Sequence, residues 1–209
     1  MDHGRSINGT DDPPSTVSAA RAPQRTPPPE PRRVLLMGMM GTGKTTIGHR
    51  LAELTGWPYE DNDDLVRSVA GLGPDRLLAE RGVAALRDAE SRALGIALRT
   101  PPPLVASVAA GVVTAAEDRT RLRDGGFVVW LQAPLELLAE RVAEGPTRPW
   151  LGDHPLEALT KLYEGREPLY AEVATVAVDV ADRTPDAIAG EILEAMGGRS
   201  AGRSSTLSS

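Results

Sequence analysis

A glycine-rich segment that ends in a lysine and a threonine, residues 38–45, has the composition of a phosphate-binding loop. Its glycines let the backbone curl so that successive N–H groups point at phosphate oxygens. In the pattern G-x-x-x-x-G-K-[ST], the ammonium of Lys44 reaches the β- and γ-phosphates and the hydroxyl of Thr45 ligates Mg²⁺. Lys161 is the only other lysine among 23 basic residues, and a compact ammonium fits a phosphate cradle better than a guanidinium fork. An apolar run precedes the segment and helical periodicity follows it, which argues against the alternative of a surface turn.

Two carboxylates, Asp61 and Asp63, follow a short strand-like piece at residues 57–60. Across a cleft from a phosphate loop, such a pair suits the ligation of Mg²⁺ through water and the orientation or deprotonation of an acceptor hydroxyl. The structural alternative is that Asp63 caps the next helix, because acids are common near helix N-termini. The sequence leaves both interpretations open.

Several arginines follow in an ordered series. Arg87 and Glu90 lie three residues apart, on one face of a predicted helix, and Arg141, Arg148 and Arg166 come later. An isolated arginine is usually a solvated surface residue, so only the order of the series suggests binding.

Short apolar runs alternate with helical periodicity along the middle of the chain. The candidate strands are residues 34–37, 57–60, 104–108, 127–131 and 176–180. The candidate helices are residues 45–54, 64–70, 74–79, 84–99, 115–124, 135–144, 156–173 and 185–196. Short buried strands separated by helices indicate an α/β fold, with a parallel sheet covered by helices on both faces. Ligands bind such sheets outside the carboxyl ends of the strands, where the loop and the carboxylate pair are expected.

The 209 residues suffice for one domain with tails. Residues 1–31 are rich in proline, serine and arginine and predict a disordered leader, although the prolines also allow a docking segment for an aromatic-lined groove. The domain is expected at residues 32–197. The Gly/Ser-rich residues 198–209 are expected to form a disordered tail.

Charge and composition argue against several classes of protein. A formal net charge of −6 disfavours a general nucleic-acid or membrane-surface binder. The absence of cysteine excludes disulfides and thiolate metal sites, and His3, His49 and His154 lack ligand spacing. No apolar run approaches the roughly 18 residues of a membrane span, and the first residues lack the apolar stretch of a signal peptide. We therefore expect a cytoplasmic protein.

The order of these motifs along the chain resembles that of the shikimate kinase family, which has the nucleoside-monophosphate-kinase-like P-loop fold. Five stretches carry the resemblance: residues 38–45 are similar to G-x-M-G-x-G-K-[ST], 61–63 to D-x-D, 86–90 to F-R-x-x-E, 148–151 to R-P-L-L and 166–170 to R-x-P-L-Y. The resemblance implies a three-layer P-loop kinase fold with a five-stranded parallel sheet. It also implies a mobile lid at about residues 143–155.

The resemblance further implies roles for individual residues. Asp61 faces the metal, and Asp63 faces the acceptor hydroxyl as base or orienter. Arg87 and Arg166 grip the acceptor carboxylate, Arg148 closes with the lid over the transferring phosphate, and Arg141 stacks on adenine. The implied catalytic residues are Lys44, Asp63 and Arg148, and the implied metal ligands are Thr45 and Asp61. The implied ATP-binding residues are Gly38, Gly41, Thr42, Gly43, Lys44, Thr45, Thr46, Arg141 and Arg148. The implied acceptor-binding residues are Asp63, Arg87, Gly111 and Arg166.

One stretch departs from the family pattern. After the third strand the family carries S/T-x-G-G-G, whereas this chain has Ser107, Ala109, Ala110 and Gly111 at those positions. Each alanine adds a methyl group where backbone approaches the acceptor, and it costs about 1–2 kcal/mol if its φ is positive. The serine, which in the family helps to hold the water shell of Mg²⁺, is retained. The departure therefore bears on the acceptor more than on phosphoryl transfer.

The resemblance implies ATP-dependent phosphorylation of a hydroxyl on a small carboxylic acid. The implied reaction converts shikimate to shikimate 3-phosphate in aromatic amino-acid biosynthesis, with ATP and Mg²⁺. Two alternatives stay open: a paralogous kinase for another hydroxy acid or cyclitol such as gluconate, and a catalytically weak nucleotide-binding regulatory protein. Paired arginines suit one carboxylate rather than a base, which argues against a nucleotide kinase. We expect a monomer that binds neither nucleic acid nor membranes.

Overall fold

The computed structural model describes residues 33–144, 151 and 154–197. Its strands are β1 (Arg33–Met37), β2 (Tyr59–Glu60), β3 (Leu104–Ser107), β4 (Phe127–Gln132) and β5 (Val176–Asp179). All neighbouring strands pair in parallel, in the order β2-β3-β1-β4-β5. The predicted α/β fold with a five-stranded parallel sheet is confirmed. The predicted leader and tail lie outside the described residues, and so do residues 145–150, 152 and 153 of the predicted lid.

Helices connect the strands of the described chain. They are α1 (Lys44–Thr55), α2 (Asn62–Ala70), α3 (Pro74–Arg99), α4 (Ala116–Gly125), α5 (Leu135–Glu144), α6 (Pro155–Glu164), α7 (Glu167–Val173) and α8 (Pro185–Gly197). A short 3₁₀ turn, Val112–Thr114, follows β3. Every connection between successive strands contains a helix, as parallel pairing requires. Among the described residues, no helix combines the length and the apolar character needed to cross a membrane.

The sheet separates two apolar clusters. Alternate residues of β1 point to opposite faces, so Leu35 and Met37 pack in one cluster while Val34 and Leu36 pack in the other. Helices α3 to α7 contribute to the first cluster, and α1 and α8 contribute to the second. All five residues of β1 are buried, as expected for a central strand that is covered on both faces.

Arg33, the first residue of β1, ties two helix ends to the sheet. Its buried guanidinium donates to the carbonyl oxygens of Thr100 at 2.7 Å and Gly125 at 2.8 Å. These carbonyls lie at the C-terminal ends of α3 and α4, where unpaired carbonyls carry partial negative charge. The contact lies at the amino end of β1, away from the edge at which ligands are expected.

Two helix predictions differ from the structure. The single helix predicted at residues 156–173 is wrong, because Gly165 ends α6 and a new helix, α7, begins after Arg166. Pro168 lies in the first turn of α7, where its missing N–H leaves no hydrogen bond unmade. The two helices predicted at 74–79 and 84–99 form one span, α3, with a break at Gly82, whose φ of 78° favours glycine.

The strand order reverses next to β1. From β1 the chain passes to β2 and β3 on one side, and then crosses to β4 and β5 on the other. Open parallel sheets bind ligands at such a reversal, outside the carboxyl ends of the strands. Residues 38–45 follow β1 at this edge and Asp61 follows β2 there, so the fold brings the two predicted groups together.

Candidate active site

Glycines with positive φ shape the loop between β1 and α1. Gly41 and Gly43 have φ of 81° and 82°, and Gly43 is the N-cap of α1. At Gly38, where φ is 145°, a Cβ would lie 2.5 Å from the carbonyl oxygen of Leu131. The turn therefore requires glycine at each of these positions. It presents the N-terminus of α1, with its partial positive charge, to the cleft.

Side chains within the loop hold its shape. The ammonium of Lys44 donates to the carbonyl oxygens of Gly38 at 2.9 Å and Met39 at 3.0 Å. Thr42 is buried, and its hydroxyl donates to the carbonyl oxygen of Met39 at 2.8 Å, so this side chain supports the loop. Thr46 is exposed in the first turn of α1.

The carboxylate of Asp61 caps the N-terminus of α2 and collects several donors. Its Oδ1 accepts from the backbone N–H of Asp63 at 2.8 Å. Its Oδ2 accepts from the hydroxyls of Tyr59 at 2.8 Å, Thr45 at 2.9 Å and Ser107 at 3.4 Å. Burial opposes ionisation, but these donors together lower the pKa of Asp61 below its ordinary value. The alternative that Asp63 is the helix cap is wrong, since Asp61 occupies that position.

Asp63 lies in the first turn of α2, and its side chain lines the cleft. Asp63 is exposed, but desolvation within the cleft raises its pKa, and the charges of Asp61 and Asp75 act in the same direction. A hydrogen bond from Asn62 at 3.1 Å and the charge of Lys44 oppose this shift without cancelling it. The two carboxylates therefore differ: the pKa of Asp61 is lowered and that of Asp63 is raised. A raised pKa suits a group that accepts a proton from a hydroxyl.

Arg87 and Arg166 approach the cleft from different helices. Arg87, in α3, forms an ion pair with the buried carboxylate of Glu90, and Arg166, at the start of α7, is only 6% exposed. Burial raises the pKa of Glu90 although the charges of both arginines oppose the shift. A Cβ on Gly111 would lie 2.0 Å from Nη1 of Arg87. The guanidinium of Arg87 therefore occupies space that only a glycine leaves open.

Residues 108–111, which follow β3 and line the cleft, are called the acceptor wall. The two alanines of this wall, Ala109 and Ala110, do not strain the backbone. Asp182, with φ of 51°, is the only non-glycine residue of positive φ in the described part of the chain. The cost anticipated for a positive φ at Ala109 and Ala110 therefore does not arise, and each alanine contributes only its methyl group. The carbonyl oxygen of Ala110 accepts from the buried hydroxyl of Tyr170 at 2.7 Å.

One cleft of about 560 Å³ brings the predicted groups together, a volume typical of small-molecule sites. The predicted site residues that line it are Gly41, Gly43, Lys44, Thr45, Asp61, Asp63, Arg87, Gly111, Arg141 and Arg166. Arg141 also donates to the carbonyl oxygen of Gly41 at 3.2 Å, beside the phosphate loop. Gly38, Thr42 and Thr46 do not line the cleft, and Arg148 lies outside the described residues. The roles assigned to these residues remain predictions.

Sequence reasoning missed the contribution of Tyr59. Its hydroxyl contacts Asp61, and its ring lies 4.6 Å from the ring of His49. Gly48 in α1 makes room for this ring, because a Cβ there would lie 2.2 Å from Cε2 of Tyr59. A signal was available but was not used: residues two apart in extended backbone point to the same side, which places Tyr59 next to Asp61.

The oxygen donors around Asp61 fit a magnesium ion. Thr45, Asp61 and Ser107 supply two hydroxyls and one carboxylate in one corner of the cleft. Mg²⁺ prefers oxygen ligands and keeps several waters, so it needs only one or two protein ligands beside nucleotide phosphates. The described residues contain no cluster of three or more histidine or acidic side chains of the kind that holds a metal by protein ligands alone.

A parallel sheet of this strand order, with a glycine-shaped phosphate loop after β1 and a carboxylate pair after β2, defines a P-loop kinase for a small acceptor. The family model for shikimate kinase matches residues 40–197, most of the chain. A shikimate kinase of Caulobacter vibrioides is 39% identical over 163 residues, which are 78% of this chain and 80% of that protein. The chain belongs to the shikimate kinase family, as its motifs predicted.

Solved structures agree with this assignment. A shikimate kinase from Acinetobacter baumannii in complex with shikimate has a TM-score of 0.76 and 31% identity, covering 80% of this chain and 94% of the other. A gluconokinase from Sinorhizobium meliloti has a TM-score of 0.58 and 24% identity, covering 82% of this chain and 95% of the other. The second likeness shows a shared fold alone. The predicted phosphotransferase activity towards a hydroxyl group is confirmed by the family.

Proposed function

We propose that this protein transfers the γ-phosphoryl group of ATP to the 3-hydroxyl of shikimate. One observation carries the proposal: the phosphate loop, Asp63 and both Arg87 and Arg166 share a single cleft. Two guanidinium groups that face one cavity suit a small carboxylate, because each forms bidentate hydrogen bonds with it. Asp63 supplies the carboxylate that a reacting hydroxyl requires.

The nucleotide half of the mechanism rests on the loop. The backbone N–H groups at the start of α1 and the ammonium of Lys44 bind the β- and γ-phosphates. Lys44 exchanges the carbonyl oxygens of Gly38 and Met39 for phosphate oxygens when the nucleotide binds. Thr45 and Asp61 would hold Mg²⁺, which supplies charge neutralisation on the phosphate oxygens when it is bound.

The acceptor half of the mechanism is positioning. Arg87 and Arg166 hold the acceptor carboxylate, so the hydroxyl that reacts is presented to Asp63. Asp63 orients this hydroxyl and takes its proton as the new P–O bond forms and the bond to the leaving ADP breaks. Glu90 holds Arg87 in place through their ion pair.

Several finer assignments belong to the proposal. Arg148 closes over the transferring phosphate with a lid at about residues 143–155, which excludes water, and Arg141 stacks on adenine. We further propose a cytoplasmic monomer, with residues 32–197 as the kinase domain between a disordered leader and tail.

A second acceptor class is favoured by one observation. Ala109 and Ala110 line the cleft where the family pattern has glycine, so their methyl groups change the shape of the wall there. An acceptor of different shape, such as another hydroxy acid or a cyclitol, retains the arginine grip only if it carries a carboxylate.

The test is the release of ADP from ATP and Mg²⁺ with shikimate, quinate, gluconate or no acceptor. We expect strong stimulation by shikimate alone, and a product that carries the phosphate on the 3-hydroxyl. Stimulation by gluconate or quinate instead would assign another acceptor. Equal rates with and without every acceptor, together with tight ATP binding, would leave a nucleotide-binding protein without kinase activity.

A further inference from the structure

A buried tyrosine hydroxyl ties the acceptor wall to the core. Tyr170, in α7, is fully buried, and its Oη donates to the carbonyl oxygen of Ala110 at 2.7 Å. The same Oη lies 3.6 Å from Sδ of Met39 in the phosphate loop. The ring of Tyr170 also packs against Trp130 of β4, with 5.7 Å between the ring centroids. The hydroxyl thus joins α7 to the turn after β3.

This hydrogen bond sets the direction of the next backbone amide. The peptide between Ala110 and Gly111 is trans, so its carbonyl and its N–H point in opposite directions. Because the carbonyl of Ala110 points to the buried hydroxyl of Tyr170, the N–H of Gly111 points away from that hydroxyl, and Gly111 itself lines the cleft. In the described part of the chain this N–H has no acceptor, and an unpaired amide beside Arg87 is a ready donor to a ligand oxygen.

We propose that Tyr170 is a positioning residue for the acceptor: it fixes the peptide that presents the N–H of Gly111 beside the guanidinium of Arg87. The inference rests on the proposed function, because it assumes an oxygen-bearing acceptor in this half of the cleft. Burial raises the pKa of the Tyr170 hydroxyl to about 12, although the charge of nearby Arg166 opposes the shift. The hydroxyl therefore stays protonated and remains a donor. Arg166 is the N-cap of α7, and Tyr170 lies four residues later in the same helix. One short helix therefore carries both an arginine that is proposed to bind the acceptor and the tyrosine that fixes the Ala110–Gly111 peptide.

The test is Tyr170→Phe, which keeps the ring between Trp130 and Met39 and removes only the hydroxyl. One neutral hydrogen bond corresponds to roughly a threefold to tenfold change, so we expect the KM for shikimate to rise by that factor. We expect kcat and the KM for ATP to change less than twofold. Tyr163→Phe is the matched control: it removes the hydroxyl of a nearby tyrosine that interacts with Glu167 and does not line the cleft.

A second readout is independent of activity. In protein labelled with ¹³C on alanine carbonyls and ¹⁵N on glycine amides, only the four Ala–Gly pairs of the sequence give a signal, at residues 70–71, 110–111, 189–190 and 201–202. The signal of the pair at 110–111 is identified as the one that is missing from Gly111→Ala. We expect Tyr170→Phe to shift this signal, because the Ala110 carbonyl loses its donor, and Tyr163→Phe to leave it unchanged. An unchanged KM for shikimate or an unchanged amide signal in Tyr170→Phe overturns the inference. An equal rise of the KM for ATP and the KM for shikimate also overturns it, because such a rise indicates a general loss of structure in the cleft. If shikimate does not stimulate ADP release by the wild-type protein, the proposed function is overturned instead. The amide signal then still tests whether Tyr170 fixes the Ala110–Gly111 peptide.

Discussion

Gly111→Ala separates the acceptor site from the stability of the fold. Gly111 has φ of −90° and ψ of −11°, a conformation that any residue adopts, so the backbone accepts alanine without strain. The added Cβ would lie 2.0 Å from Nη1 and 2.2 Å from Cζ of Arg87. Ordinary contact begins near 3.4 Å, so the guanidinium must retreat by about 1.4 Å. Its side chain is 32% exposed, which gives it room to do so.

The size of the effect follows from the bonds that this movement breaks. A hydrogen bond to a charged group contributes about 1.5–3 kcal/mol, and a shift of about 1.4 Å removes at least one such bond between Arg87 and the acceptor carboxylate. We therefore expect the KM for shikimate to rise roughly 10- to 150-fold, while the KM for ATP stays within about twofold of the wild-type value. The thermal midpoint should change by only a few degrees, because the clash is with the end of a flexible side chain.

The assay is initial-rate ADP release at varied shikimate and at varied ATP, with thermal unfolding on the same samples. Ala110→Gly is the matched control, because it changes one methyl group at the neighbouring position of the same turn. We expect that control to alter the KM for shikimate less than about threefold, since Ala110 has no positive φ to relieve. A folded Gly111→Ala variant with wild-type KM for shikimate would refute the assignment of Arg87 and Gly111 to the acceptor.

Three further predictions concern the carboxylates and the sheet. Asp63→Asn should lower kcat by about 10²- to 10⁴-fold while calorimetry shows unchanged ATP binding; undiminished turnover would contradict its role as base. In the metal-free protein, carboxyl NMR titration should give Asp61 a pKa below the ordinary aspartate value and Asp63 a pKa above it. Hydrogen-bond donors stabilise the first anion, and desolvation within the cleft destabilises the second. Asp75→Asn should then lower the pKa of Asp63, and the reverse order of the two titrations would refute the electrostatic account. Arg33→Met should cost about 2–5 kcal/mol in urea unfolding, since two helix-end carbonyls lose their donor, whereas exposed Arg76→Met should be nearly neutral; equal costs would be inconsistent with the tie at Arg33.

Features with a local cause were predictable from the sequence. The strands are short runs of apolar residues because both faces of the sheet are covered, and the phosphate loop is recognisable because its turn requires glycine at fixed positions. The carboxylates Asp61 and Asp63 were found for a similar reason, since polar residues that follow a strand of a parallel sheet lie at its ligand edge.

Features with a weak local signal or a distant cause were missed. Helical periodicity continues through residues 156–173, and only Gly165 and Pro168 together signal the break that places Arg166 at the start of α7. The need for glycine at position 111 comes from Arg87, which lies in another helix. The family pattern has glycine at all three positions of the wall. In this chain the side chain of Arg87 excludes a Cβ only at Gly111, whereas Ala109 and Ala110 have room for one. Such a distinction depends on which distant side chain packs against each Cα, and a local sequence pattern does not contain that information.

The spacing of the two carboxylates follows from helix-capping geometry. An N-cap side chain accepts a hydrogen bond from the backbone N–H two or three residues later, and here Asp61 accepts from Asp63. That bond occupies Oδ1 of Asp61 and leaves Oδ2 directed at Thr45, where the metal is expected. The residue that donates the bond lies in the first turn of α2, so its own side chain faces the cleft. The backbone N–H of Asp63, which is proposed to face the acceptor, thus holds the carboxylate of Asp61, which is proposed to face the metal. A spacing of two residues therefore couples the two halves of the site through one hydrogen bond.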